Sequence, residues 1–267
     1  MLRPLRRIVR RLMERTGLIG PYYRWLERRQ ARGLTEAAVD DGRPMPPAEL
    51  VVLVSGPSRA WFSERGRADA EMFRTLAARH GADVALGLDV LDFGCGAGRI
   101  ARWLAAEVIA AGGAFHGSDL NPRLAGWCAA NLPGTYRVNG LQPPLANAEG
   151  SLDLVYAHSV LTHLTEPTAT AWLGEIARVL RPGGLALLTF HDEAYAAAWG
   201  PGDIAARLGG EGYVVLNNAL EGSNYISAWT TRARLARMAA PWFDVAQMIP
   251  GRNDEPAQAI GVLRVRA

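Results

Sequence analysis

The segment Asp92-Phe93-Gly94-Cys95-Gly96-Ala97-Gly98 constrains this chain more than any other. It follows a short apolar stretch, Leu88–Phe93, that reads as a strand, and precedes Ile100–Ile109, which reads as a helix. Glycines at such a junction let the backbone turn tightly and approach a ligand beside the amides of a helix N-terminus. The alternation then continues. Ala114–Ser118 reads as a strand, Pro122 to about Asn131 as a helix, and Tyr136–Asn139 and Leu152–Ala157 as strands. A helix over about Pro167–Leu180 stops at Arg181-Pro182-Gly183-Gly184, and Leu185–Phe190 is a fifth strand. Strands alternating with helices imply an α/β fold, a mostly parallel sheet covered on both faces.

The loop also narrows the ligand. It reads Gly-x-Gly-x-Gly, whereas a dinucleotide fingerprint is Gly-x-Gly-x-x-Gly. Asp92 stands immediately before the glycines, where it would repel a pyrophosphate but suits a cationic amino group. The next strand ends in Asp119, 21 residues after Gly98, where an acid can accept hydrogen bonds from both ribose hydroxyls. The ligand that fits is a nucleoside with an amino-acid tail and no phosphate.

Composition removes other classes. All 29 basic residues are Arg, so Schiff-base chemistry and a P-loop phosphate site, which both need Lys, are excluded. Two cysteines, Cys95 and Cys128, are too few for a disulfide framework or a cysteine-rich metal site. The chain has no apolar run of about 18 residues and no apolar signal core at its start, so a cytoplasmic protein is expected.

The charge is uneven. Residues 1–32 hold ten Arg and two Glu, a net of +8, while the whole chain carries +3, leaving −5 for the rest. Apolar residues at helical spacing lie between these Arg, as one or two amphipathic helices broken near Gly17–Pro21. Two readings stay open: a dock for a membrane surface or an acidic carrier, or a helix packing on its own domain or a dimer mate. The Pro-rich hinge at 43–47 divides a basic arm, residues 1–43, from a helical cap region, 44–87. Within the cap, 48–54 and 67–80 read as helical, with Trp61 and Phe62 in the connection. The third region, 88–267, contains the strand–helix series. It ends with strands at Tyr213–Leu216 and Tyr225–Trp229 around a Gly-Ser-Asn turn, a helix at Thr231–Ala240, and a closing pair, Val245–Ile249 and Ala259–Val265.

Four pieces, 90–98, Gly117-Ser118-Asp119, 152–157 and Val179-Leu180-Arg181-Pro182-Gly183-Gly184, together resemble the class I S-adenosylmethionine-dependent methyltransferases in order and spacing. The resemblance covers about residues 88–191. It implies a seven-stranded sheet whose last strand is antiparallel, with S-adenosyl-L-methionine across the C-terminal ends of the first strands. It implies cofactor contacts at Asp92, Phe93, Gly94, Cys95, Gly96 and Gly98, at Asp119 and Leu120, at Asn139, Gly140 and Leu141, and at Ala157 and His158. Many members carry an acid where this chain has Asn139, whose amide oxygen can accept the same hydrogen bond.

Methyl transfer to a hydroxyl needs alignment and a base. His158 and Ser159 directly follow the fourth strand, His163 lies five residues on, and His191 and Asp192 follow the fifth. The expected base is His163 or His191, with Asp192 beside the latter; the competing role for each His is to brace backbone. The three His lack metal-ligand spacing, so no metal is expected. Flanking pieces, including Gly222-Ser223-Asn224-Tyr225 and the stretch from Gln258, resemble a bacterial group acting on small molecules. By that resemblance, Trp61, Phe62, Tyr225 and Trp229 would cover the acceptor; the other reading places them in the core. The leading expectation is O-methylation of a small hydroxylated acceptor, with saccharides and natural products as candidates. The alternatives are N- or C-methylation and a cofactor-binding partner subunit without turnover. A nucleic-acid acceptor is not expected, because the chain beyond the arm is acidic.

Overall fold

The structure is a computed structural model that describes residues 19–34 and 40–266. The chain divides into two compact units, Met1–Arg65 and Gly66–Ala267. No described helix is long and apolar enough to cross a membrane.

The first unit contains α1 (Ile19–Gly33), α2 (Ala48–Ser55) and the start of α3 (Arg59–Arg79). Helix α1 packs on α2, and Ala31, Leu50, Val51 and Val52 are buried. Helix α1 begins at Ile19 and keeps Pro21 in its first turn, where a missing N–H costs little; the chain before it, where the break near Gly17–Pro21 would begin, lies outside the described residues. The basic residues before Leu18 lie outside the described residues. Trp61 and Phe62, expected in a connection, stand in the first turn of α3, because the Ser58 hydroxyl accepts the Trp61 N–H at 3.2 Å and opens the helix there. The helix also runs through Gly66 instead of starting after it. A β-carbon at Gly66 would sit 2.2 Å from the Arg99 carbonyl oxygen, so this glycine serves a close approach, not a helix stop.

In the second unit seven strands form one sheet: β1 (Val90–Phe93), β2 (Phe115–Asp119), β3 (Thr135–Val138), β4 (Leu152–Ala157), β5 (Leu180–Phe190), β8 (Phe243–Ile249) and β9 (Ala259–Val265). Their order is β3-β2-β1-β4-β5-β9-β8. Strands β1 to β5 are parallel, and β9 runs antiparallel between β5 and β8. This is the mostly parallel sheet with an antiparallel last strand that the motifs imply. A separate antiparallel pair is formed by β6 (Tyr213–Leu216) and β7 (Ser227–Thr230).

Alternation along the central strands builds two cores. Leu91, Phe93, Val155, Ala157, Ala186 and Leu188 pack with Trp172 and Ile176 of α6 (Glu166–Val179) on one face. Val90, Leu154, Tyr156, Leu185 and Leu187 pack on the other with Phe73 of α3 and Leu104 of α4 (Ala101–Ala110). Helix α5 (Pro122–Asn131) follows β2, capped by the Asn121 side chain. Arg181-Pro182-Gly183-Gly184 does end α6, but it does not separate helix from strand. Leu180 already pairs with Leu152, and the ladder resumes at Leu154 and Leu185 after a register shift. Arg181 holds the bulge by pairing with Asp89 at 2.8 Å and with Asp153. Helices α7 (Glu193–Trp199) and α8 (Ile204–Glu211) were not legible through the Gly-Pro-Gly between them; α9 (Arg232–Ala239) was.

Candidate functional site

The C-terminal ends of β1, β2, β4 and β5 bring the motif loops to one rim of the sheet. The glycine loop makes the turn with positive φ at Gly94 (76°), Gly96 (54°) and Gly98 (73°). A β-carbon at Gly94 would lie 2.3 Å from Val160 Cγ2, and one at Gly98 2.3 Å from Leu132 Cδ1, so neither position has room for a side chain. The Gly94 and Cys95 N–H groups donate to the Ser118 carbonyl. Asp119 Oδ2 accepts the Gly96 N–H and Oδ1 the Asn121 N–H, both at 2.8 Å. The Asp119 carboxylate thus ties the loop to the end of β2. Burial raises its pKa, and the two N–H donors oppose that rise.

Cys95 and Cys128 are both buried, and their thiols approach the Gly96 carbonyl. The Cys128 thiol and burial push Cys95 well above the ordinary range, so it stays a neutral loop residue and not a nucleophile.

Asp92 is buried, with Oδ2 lacking a hydrogen bond among the described residues. Burial pushes its carboxyl up to about 7, while the Tyr156 hydroxyl and Arg99 guanidinium pull it back and Asp119 adds to the rise. Asn139 presents a second orphan: its Nδ2 donates to the Gly140 carbonyl at 2.7 Å, and its buried Oδ1 has no partner among the described residues. Buried acceptors without donors are costly in a finished core. Here they fit a ligand that brings a cationic amine to Asp92 and an amino group to Asn139. Leu120 and Leu141 supply apolar surface nearby. A β-carbon at Gly222 would lie 2.8 Å from each, so the segment after β6 closes over the ends of β2 and β3.

The three His differ in what holds them. His158 receives an Arg99 N–H at Nδ1 (3.2 Å) and faces Asp69 with Nε2 (3.3 Å), while Arg99 pairs with Asp69 at 2.6 Å. His163 donates Nδ1–H to the Ile226 carbonyl at 3.0 Å, and its Nε2 takes no hydrogen bond among the described residues. Burial lowers its pKa, partly offset by the Ile226 carbonyl, so the ring is neutral near pH 7. His191 donates Nδ1–H to the Ala228 carbonyl at 3.2 Å, but Gln258 Nε2 stands 3.4 Å from its Nε2. Burial, with the charges of His163 and His158, drives His191 down to about 4 against the Ala228 bond. Asp192 is fully buried: it caps α7 through the Tyr195 N–H (2.9 Å) and accepts the Gly251 N–H (3.2 Å).

From the sequence, Gln258 is only the start of a flanking stretch, with no role at the site. Its amide also accepts from Thr189 (2.6 Å) and donates to Ser159 (2.9 Å). Ser159 holds a φ of 63° and its hydroxyl meets Thr162 at 2.9 Å. The β5–β9 register, pairing Phe190 with Ala259, is what sets Gln258 beside His191. Asp69, on α3, likewise had no local signal. Among the aromatics, Trp229 is buried in a small core with Ile204, Leu208 and Val214, its ring centre 5.6 Å from that of His191. Tyr225 is half-buried beside Ile226, with its carbonyl accepting from Asn217. Trp61 and Phe62 belong to the first unit, Trp61 exposed and Phe62 buried.

A family model described as a methyltransferase domain matches residues 90–184. The chain is 33% identical over 116 residues to an uncharacterized methyltransferase of Synechocystis sp., covering 43% of this chain and 53% of that protein. It is 30% identical over 181 residues to a ubiquinone biosynthesis O-methyltransferase of Xanthomonas oryzae pv. oryzae, covering 61% and 71%. The chain spans about half the length of the first curated relatives it matches. Among solved structures, the fold resembles an S-adenosylmethionine-dependent methyltransferase from Mesorhizobium loti (TM-score 0.54, 18% identity, 71% of this chain and 96% of that one). It also resembles magnesium protoporphyrin IX methyltransferase of Synechocystis (TM-score 0.54, 18% identity, 98% and 100%).

Proposed function

The chain belongs to the class I S-adenosylmethionine-dependent methyltransferases, and from that premise we propose that it methylates a hydroxyl oxygen of a small acceptor with His163 as the base. The observation that carries this reading is the His163 ring: half-buried, neutral, fixed through Nδ1, and open at Nε2 among the described residues. A base must be unprotonated and able to reach a proton, and of the two candidates only His163 meets both conditions without first breaking a hydrogen bond. His191 has its Nε2 against the Gln258 amide, so we assign it to shaping the rim beside Tyr195, on which it stacks at 4.2 Å. Asp192 is assigned to scaffolding, since both carboxylate oxygens are engaged in capping and loop closure.

S-adenosylmethionine supplies, when bound, a methyl group on a sulfonium, electrophilic enough for direct displacement. Asp92 would hold the amino group, the glycine-loop backbone the amino-acid tail, Asp119 the ribose hydroxyls and Asn139 Oδ1 the adenine amino group, between Leu120 and Leu141. Phe93, Cys95, Gly140, Ala157 and His158 would line the same crevice through shape and backbone. On the acceptor side, Nε2 of His163 takes the hydroxyl proton, and the Ile226 carbonyl steadies the imidazolium that forms. Tyr225 would face the acceptor, whereas Trp229 acts through the His191 ring that it flanks.

The O-methyltransferase among the relatives supports oxygen over nitrogen or carbon as the acceptor atom. A screen of hydroxylated small molecules with methyl-labelled cofactor, read by product mass, tests the reading. Products labelled only on nitrogen or carbon would reject it, and so would labelling at an undiminished rate by a His163→Ala variant.

A further inference from the structure

Helix α1 carries an exposed aromatic face that the methyl-transfer reading leaves unused. With 3.6 residues per turn, Tyr22, Trp25, Arg29 and Arg32 share the side of α1 opposite the buried Ala31. Tyr22 is 42% exposed and Trp25 53%, and their rings stack at 6.2 Å. The Arg29 guanidinium lies 5.5 Å from the Trp25 ring centre. This helix belongs to a segment whose sequence carries a net of +8 on a chain that is otherwise acidic.

We propose that this face of α1 docks on the surface of an anionic phospholipid bilayer. Tyr and Trp rings settle at the headgroup level, where one edge is apolar and the other wet, and arginines beside them meet lipid phosphates. The charge pattern argues against other occupants. A second copy would bring two strongly basic segments together. A nucleic-acid duplex would engage the arginines and leave the stacked aromatic pair in water. The bilayer surface accommodates both the ring pair and the positive charge. This inference is independent of the acceptor and of His163.

The test is co-flotation of the full chain with vesicles of phosphatidylcholine, with and without phosphatidylglycerol. The protein should partition onto the anionic vesicles and only weakly onto the neutral ones, and added salt should weaken binding. Trp25→Ala should reduce partitioning about fivefold or more, and Arg29→Glu with Arg32→Glu about tenfold or more. Cofactor affinity by calorimetry and the melting temperature should stay at parental values in these variants, which separates lost docking from lost folding. The proposal is overturned by absence of vesicle binding, by equal binding to neutral vesicles, or by full binding in both variants. It is also overturned if the variants change only oligomeric state or binding to duplex DNA.

Discussion

Two imidazoles stand at one rim, and the partner of the second ring nitrogen separates them. Among the described residues His163 has a carbonyl on Nδ1 and nothing on Nε2, whereas His191 has a carbonyl on Nδ1 and an amide against Nε2. Replacing His163 by Ala should lower kcat by about 10²–10⁴-fold with cofactor affinity near parental, the usual size of general-base catalysis. Sequence alone puts the rising limb of the pH profile near 6.5, the ordinary imidazole value; burial of His163 moves it lower, because the neutral form now persists to more acidic pH. A rate that still climbs steeply above pH 7 would assign the proton transfer elsewhere. Asp92 offers a second residue-scale test. Its carboxyl is raised from 3.8 to about 7, so the folded chain holds that proton more tightly than the unfolded chain. The stabilising contribution is whole below about 3.8 and is lost as pH rises through about 7, up to roughly 4 kcal/mol in all. Asp92→Asn cannot ionise. It should melt higher than the parent without cofactor, by a margin that grows across that window and then levels off, while binding cofactor more weakly. A margin that does not change with pH in thermal denaturation would refute the burial argument.

Among elements, the glycine loop and the helix pressed beside it depend on close contacts that no side chain can share. Gly94→Ala must push Val160 aside at 2.3 Å and adopt a left-handed φ, so cofactor binding should fall below detection by calorimetry even if the protein folds. Retained micromolar affinity would show that the loop yields. The ion pair of Asp69 on α3 with Arg99 after the loop is almost wholly buried, with side chains 3% and 7% exposed. Asp69→Ala removes a principal partner of a buried guanidinium and should cost roughly 3 kcal/mol in urea unfolding, with a loss below about 1 kcal/mol marking the pair as dispensable. The loop's glycines and its acid were legible because they are contiguous. The role of Gly66 was not: it stands just before the stretch that reads as helical, and the Arg99 backbone packed against it explains why the helix carries a glycine there.

At the scale of the whole molecule, binding and folding are linked. Ligand held by the folded state alone stabilises it by about 2.7 kcal/mol at a hundredfold excess over Kd. S-adenosylmethionine or its demethylated product should therefore raise the melting temperature by roughly 5–10 °C, and much less in Asp119→Ala, which loses the loop tie and the proposed ribose acceptor together. An unchanged melting curve with saturating cofactor would count against the binding site. The sequence by itself determined the class of fold, the glycine loop, Asp119 and most strand positions, because period, turn residues and short motifs are local properties of the chain. Tertiary structure alone decided which His keeps an open nitrogen. That depends on the antiparallel entry of β9 beside β5, which carries Gln258 to His191 across 67 residues of chain. It also decided that Asp192 and Trp229 are buried within the scaffold, and that Trp61 lies in the first turn of a helix. Each outcome rests on contacts between segments far apart in the chain, and local pattern carries no record of them.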